Sequence, residues 1–245
     1  MKYPSARAVA TVCSAGFAGL AFLGVAHADE PGEDPAYKLT VASHRFSENG
    51  NGLDVNVRHT SGLGTKWLGY FDSGGLDAHQ FRGGWERSFG DSVRLLPSLQ
   101  LASGGFAGGS LGVETGKTWF IGAGYGRTNQ RPYYNLNFDP NDAWSLGGGY
   151  RSPQGEIYSL NYIRDDRDNP DQQHLHAVYR RPINGQDRLT VDLLYKQGLV
   201  NGEGISKLGL TLTYDWPRYF VRLAYDPNTN FTTDNVLRLS VGTRF

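Results

Sequence analysis

Val236-Leu237-Arg238-Leu239-Ser240-Val241-Gly242-Thr243-Arg244-Phe245 is the stretch that decides the fold. Side chains alternate across a β-strand, so residues two apart share a face. Leu237, Leu239, Val241, Thr243 and Phe245 then face one side, and Arg238, Ser240, Gly242 and Arg244 the other. The same period of two runs back through the chain. Leu208, Leu210, Leu212, Tyr214 and Trp216 alternate with Gly209, Thr211, Thr213 and Asp215. Tyr219, Val221, Leu223 and Tyr225 alternate with Phe220, Arg222 and Ala224, and Leu189, Val191, Leu193 and Tyr195 with Thr190, Asp192, Leu194 and Lys196. A strand with one apolar and one polar face divides two media.

The N-terminal segment is of another kind. Lys2 and Arg7 precede an uncharged run from Ala8 to Val25, and Ala26-His27-Ala28 gives a small-x-small cleavage pattern ahead of Asp29-Glu30. A secretory signal is expected over 1–28, with a retained membrane helix as the alternative. An acidic, proline-containing lead-in is expected over 29–36 and a β domain over 37–245. Cys13 lies inside the signal, so the expected mature chain has neither disulfide nor thiolate ligand. Taking Lys2 and Arg7 from the 24 basic residues leaves 22 against 24 acidic ones, a formal charge of −2. No clustered basic excess points to nucleic acid.

Fourteen strands are predicted, at 37–46, 52–60, 65–73, 78–89, 92–103, 106–115, 118–127, 142–152, 155–164, 173–181, 188–197, 206–216, 218–226 and 235–245. Twelve and sixteen are the alternatives, because Tyr133 to Phe138 alternates within a long loop and the run 104–109 is glycine-rich. An even count returns both ends to one side of a membrane. It also puts the connections 128–141, 165–172, 198–205 and 226–234 on the far side and mostly short ones on the near side. The expected fold class is all-β, a closed antiparallel transmembrane β-barrel. A soluble periplasmic β-sandwich or barrel is the competing architecture.

Trp67, Trp85, Trp119 and Trp216 fall near one set of strand ends and Trp144 near the other, as an interfacial aromatic girdle would. Amphipathic strands, girdle and closing Phe245 together resemble the Gram-negative outer-membrane β-barrels, of the small porin-like kind, without indicating one family among them. The resemblance implies location in the cell outer membrane, with lipid and lipopolysaccharide around the barrel. It also implies barrel-assembly machinery that reads the last strand, with Phe245 as assembly signal. Passive transport is its usual function.

The polar face assigns eleven candidate lumen cations: Lys38, Arg58, Lys66, Arg82, Arg94, Arg151, Arg180, Lys196, Arg222, Arg238 and Arg244. Six candidate lumen anions are Asp54, Asp72, Glu86, Glu114, Asp192 and Asp215. The pore-lining set singled out is Arg82, Arg94, Arg151, Arg180, Arg222, Arg238 and Arg244, with Glu86, Asp192 and Asp215. An excess of positive charge inside a nearly neutral chain suits a channel for small polar or anionic solutes. Charges paired across the interior would instead make a plugged scaffold. Gly147, Gly149, Gly209 and Gly242 on this face suit either open space or strand curvature.

Two other functions are weighed: an exopolysaccharide-export barrel and a lipid-modifying enzyme. Hydrolysis would need Ser, His and an orienting group together. His174 and His176 share a face beside Ser159 and Asn161, but the expectation is a pair of water-facing lumen histidines and no catalytic residues. His44, His59 and His79 receive no role. Asp165, Asp166, Asp168 and Asp171 with Arg164 and Arg167, and Asp139 with Asp142, read as solvated outer loops that lack the EF-hand pattern. No metal and no cofactor are expected. Gly122 to Gly126 reads as a glycine-rich strand.

Overall fold

The computed structural model describes residues 35–167, 169 and 171–245. The expected signal, most of the lead-in and Asp168 lie outside the described residues. Among the described residues fourteen strands follow in chain order. The first seven are β1 (Tyr37–Phe46), β2 (Asn51–Ser61), β3 (Gly64–Ser73), β4 (Ala78–Glu86), β5 (Val93–Ala102), β6 (Phe106–Thr115) and β7 (Trp119–Thr128). The second seven are β8 (Ala143–Arg151), β9 (Ile157–Asp165), β10 (Gln173–Ile183), β11 (Asp187–Val200), β12 (Glu203–Asp215), β13 (Tyr219–Asp226) and β14 (Val236–Arg244). Each strand pairs antiparallel with its neighbours in sequence, and β1 pairs with β14 to close the ring.

The closing seam runs in register from Lys38 opposite Arg244 to Phe46 opposite Val236. Beyond it the Tyr37 N–H donates to the Phe245 carbonyl at 2.9 Å, and the Phe245 N–H to the Tyr37 carbonyl at 3.0 Å. Their rings stack at 5.7 Å. Closure satisfies the backbone groups that an open sheet edge would strand in lipid.

The side chains are inverted relative to a water-soluble protein. Leu68, Phe81, Leu101, Ile121, Leu160, Leu208, Leu239 and Val241 lie exposed on the outside. Asp54, Asn56, Gln80, Arg82, Gln100, Glu114, Asn161, Lys196 and Thr213 are buried inside. A continuous apolar belt around a closed ring far exceeds any patch a soluble surface tolerates, and it suits hydrocarbon. The soluble sandwich is thereby set aside.

The connections differ from expectation at one place. The 198–205 loop is a hairpin: β11 and β12 run on to Val200 and Glu203, leaving only Asn201 and Gly202 between them. Both have positive φ, 52° and 85°, as a tight primed turn requires. The glycine-rich run begins with a single 3-10 turn at Ser103–Gly105, after which β6 starts at Phe106. Tyr133 to Phe138 forms no strand. It leaves the sheet and enters the lumen.

Three facing assignments are corrected. Trp67 is 6% exposed and points inward, whereas Trp119 at 73% and Trp216 at 42% lie on the outer surface. Lys66 and Asp72 share the outer face of β3 with Leu68 and Tyr70 and are not lumen charges. The inner-face glycines do not mark open water. A Cβ on Gly242 would run into the Phe220 ring, and one on Gly149 into the Phe120 ring and the Tyr158 carbonyl. Gly242 and Gly149 make room for aromatic rings, and Gly147 for the Asn161 side chain.

Candidate functional site

The lumen is shaped by the loop of residues 129–142, which joins β7 to β8 at the barrel end opposite the termini. Its sequence alternates large apolar and polar side chains, so it carries its own apolar face inward. Leu136 and Phe138 form a buried cluster with Phe46, Phe71 and Val236 of the wall, and Tyr134 packs against it. Tyr134 stacks on Phe71 at 5.0 Å and 9°, and meets Phe46 edge-on at 6.0 Å. Tyr133 stacks on Phe106 at 4.3 Å. Burial, aided by the negative charges of Asp234 and Asp226, pushes the Tyr134 phenol well above the usual tyrosine range. It therefore stays neutral.

Polar contacts fix the loop as well. Gln80 brackets Tyr134, donating to its carbonyl at 3.1 Å and accepting from its N–H at 2.8 Å. Arg238 donates to the Leu136 carbonyl at 2.8 Å. Asn230, in the turn after β13, donates to the Asn135 carbonyl at 2.9 Å, so a second connection from the same end folds in beside the first. At the rim Asp142 accepts from the Thr128 hydroxyl at 2.6 Å and from Arg167 at 2.9 Å. Asp139 and Asp142 are thus not solvated loop charges: Asp142 is 1% exposed and Asp139 lies against β10.

The expected pore-lining residues fall into two groups. Some are paired. Arg82 meets Asp54 at 2.6 Å. Glu114, 1% exposed, receives Arg94 in a short contact and Arg151 at 2.8 Å. Arg58 meets Glu86 at 2.9 Å, Lys196 meets Asp226 at 2.6 Å, and Arg244 makes a short pair with Asp215. Asp192 bonds His176 at 2.9 Å and, among the described residues, no arginine. The other group, Lys38, Arg180, Arg222 and Arg238, has no carboxylate at ion-pair distance among the described residues. Lys38 lies 4.3 Å over the Phe220 ring, and Arg222 donates to Thr213 Oγ1 at 3.1 Å.

Below the loop, toward the termini, these side chains enclose a cavity of about 260 Å³. Lys38, Arg58, Arg82, Arg222 and Arg238 line it, with Asp54 the single carboxylate. Thr40, Asn56, Ser240 and Asn137 supply neutral polar groups, and Trp67, Phe220, Tyr133 and Leu136 the apolar surface. Trp67 lies 5.8 Å from the Arg58 guanidinium and 5.9 Å from that of Arg82, which explains an indole on the polar side of the sheet. Arg94 and Arg151 lie on another part of the wall with Glu114. Arg180 is a neighbour of His176 and Val178 on β10 and does not line the cavity.

The histidine pair does not assemble with the serine. Ser159 accepts a long bond from Asn161 at 3.5 Å, whereas His174 and His176 both reach Asp139, at 2.6 and 3.0 Å. Burial opposes the charged form of Asp139, but the charge of His176 and the hydrogen bonds from both rings outweigh it and hold the carboxyl low.

Sequence reasoning missed the loop. Its signal was present: Tyr133, Tyr134, Leu136 and Phe138 are too apolar for a segment in water, and a period of two suits one face laid on a wall. Asp226 was also missed, although it shares the inner face of β13 with Phe220, Arg222 and Ala224.

No family model matches the chain, and no curated protein matches it. Solved structures do. The Acinetobacter baumannii outer membrane protein Omp33 has a TM-score of 0.55 at 10% identity, over 88% of this chain and 100% of that one. The NanC porin gives 0.48 at 9% identity, over 84% and 100%. The KdgM porin gives 0.45 at 11% identity, over 85% and 99%. At such identities the likeness is one of fold, and the statement of fold rests on the first of the three. The chain has the fold of an outer-membrane β-barrel, a closed antiparallel ring similar to that of Omp33.

Proposed function

We propose that the protein is a passive outer-membrane channel that favours small anionic solutes. The observation that supports this reading is the cavity beneath the loop, where five cationic side chains face one carboxylate. Asp54 neutralises Arg82 and Glu86 neutralises Arg58, which leaves Lys38, Arg222 and Arg238 as the net field. Low-dielectric walls focus such a field along the lumen, so an anion entering it is concentrated and a cation repelled. The hydroxyl and amide groups of Thr40, Asn56 and Ser240 replace part of the hydration a solute gives up. The inward loop restricts the size of what passes, and the unpaired arginines supply the sign.

Flux into liposomes tests the reading. Refolded protein should admit a small carboxylate faster than a quaternary ammonium ion of the same size, with an uncharged polyol between them. Equal rates for all three would remove the electrostatic part of the proposal. No flux above protein-free liposomes would remove the channel.

A further inference from the structure

Asp139, His174 and His176 place three ligating atoms within 4.8 Å of one another. The carboxylate comes from the inward loop, and the two imidazoles stand two residues apart on the inner face of β10. Asp139 Oδ1 is 2.6 Å from His174 Nδ1 and 3.0 Å from His176 Nε2. The other ring nitrogen of His176, Nδ1, faces Asp192 at 2.9 and 3.1 Å. All of this is screened from water: side-chain exposures are 0% for His174, 15% for His176 and 16% for Asp139.

As a hydrogen-bond network the arrangement closes only around an added positive charge. A neutral imidazole has one N–H, so His176 cannot donate to Asp139 and to Asp192 together. One contact then sets a ring lone pair against a carboxylate lone pair, unless a positive charge lies there.

We propose that this cluster is a binding site for a divalent transition-metal ion, with zinc as the fitting probe. His174 Nδ1, His176 Nε2 and an Asp139 oxygen are the ligands, and a fourth position is left for water. Two imidazoles and one carboxylate form a donor set that zinc takes in open sites. Asp192 supplies the outer carboxylate that such histidines use to fix their tautomer, holding Nδ1–H so that Nε2 faces the metal. Ligands about 2.0–2.1 Å from a tetrahedral ion lie roughly 3.3 Å apart, so the two Asp139 contacts need to open by less than about 1 Å, while the two histidine nitrogens, which lie within 4.8 Å, draw together by up to about 1.5 Å. The ion would tie the loop to the barrel wall through Asp139, and loop docking and metal binding would reinforce each other by linkage. The proposal does not depend on the channel reading.

The test uses the full refolded barrel in detergent micelles at neutral pH, titrated with zinc against a chromogenic chelator and, separately, with cobalt(II) observed by visible absorption. One zinc per chain and the intense bands of tetrahedral cobalt are expected. Asp139→Asn and His176→Gln should each weaken zinc binding by at least about tenfold and abolish the cobalt bands, and Asp192→Asn should weaken it by roughly 10–100-fold. His79→Gln, at an exposed histidine on the outer face, should bind like wild type. Heat-modifiable migration checks folding, and Asp139→Asn, a loop change that leaves every strand intact, carries the test if a histidine variant fails to fold. Absence of stoichiometric zinc binding in the wild type overturns the proposal, and the charge at His176 is then a second proton. Binding unaltered by Asp139→Asn and His176→Gln also overturns it, placing the metal elsewhere.

Discussion

Arg238 of β14 donates from Nη1 to the backbone carbonyl of Leu136 at 2.8 Å, bridging 102 positions of sequence. Its guanidinium also lies 4.5 Å from the Phe138 ring centre. An arginine placed in the lumen by strand parity is therefore also a clamp on the loop that narrows the lumen. A hydrogen bond from a charged donor contributes about 1.5–3 kcal/mol. Arg238→Ser should let the loop fluctuate, giving larger and noisier single-channel currents than wild type. Currents as steady and as small as wild type would mean that the clamp is dispensable.

Leu136 tests the apolar half of the same anchoring. It is 3% exposed and packs with Phe138 against Phe46, Phe71 and Val236. Leu136→Ala should cost about 2–5 kcal/mol of loop docking while leaving the barrel closed. Limited proteolysis of the folded protein is the readout, with faster cleavage within 129–142 expected. Equal cleavage rates would show that the polar contacts alone hold the loop.

The lipid face has its own test. Leu212 lies opposite Leu223, and Leu223 opposite Leu239, so the three make an outward apolar row across β12, β13 and β14. Leu212→Arg should destabilise the inserted barrel by roughly 2–4 kcal/mol, measured as folding free energy into bilayers. An unchanged free energy would place this row outside the hydrocarbon.

Glu114 answers to two arginines, Arg94 and Arg151, and is 1% exposed. Glu114→Ala should destabilise by about 3–5 kcal/mol, because it leaves both cations without their carboxylate in a buried site. A lower thermal midpoint in detergent is the measurement. A variant as stable as wild type would indicate that water reaches the arginines and replaces the acid.

The barrel was legible because two media impose one rule on every strand, and β14 illustrates it: its predicted bounds of 235–245 correspond to Val236–Arg244. Parity failed on β3 for a physical reason. Lys66 and Asp72 stand near the ends of the strand, beyond the apolar band, where a charge meets headgroups or water on either face and carries no information about the lumen. Trp67 and Phe71 face inward on the same strand, since one serves the arginines and the other the loop. The apolar alternation of the loop was legible, but its destination was not, because that depends on a cavity that exists only after fourteen strands have closed. The Asp139–His174–His176 cluster joins that loop to β10, so the sequence displayed the histidine pair and hid the carboxylate between them.

The central claim is that unpaired lumen cations set the sign of what passes. Reversal potential across a planar bilayer under a salt gradient measures that most directly. The account predicts anion selectivity in the wild type, stronger at about 0.01 M salt, where the Debye length is near 30 Å, than at about 0.1 M, where it is near 10 Å. It further predicts that Arg222→Ser, which removes a cation bonded to Thr213, shifts the potential toward cations without altering heat-modifiable folding. Cation selectivity in the wild type, or no conductance from a folded barrel, would contradict it.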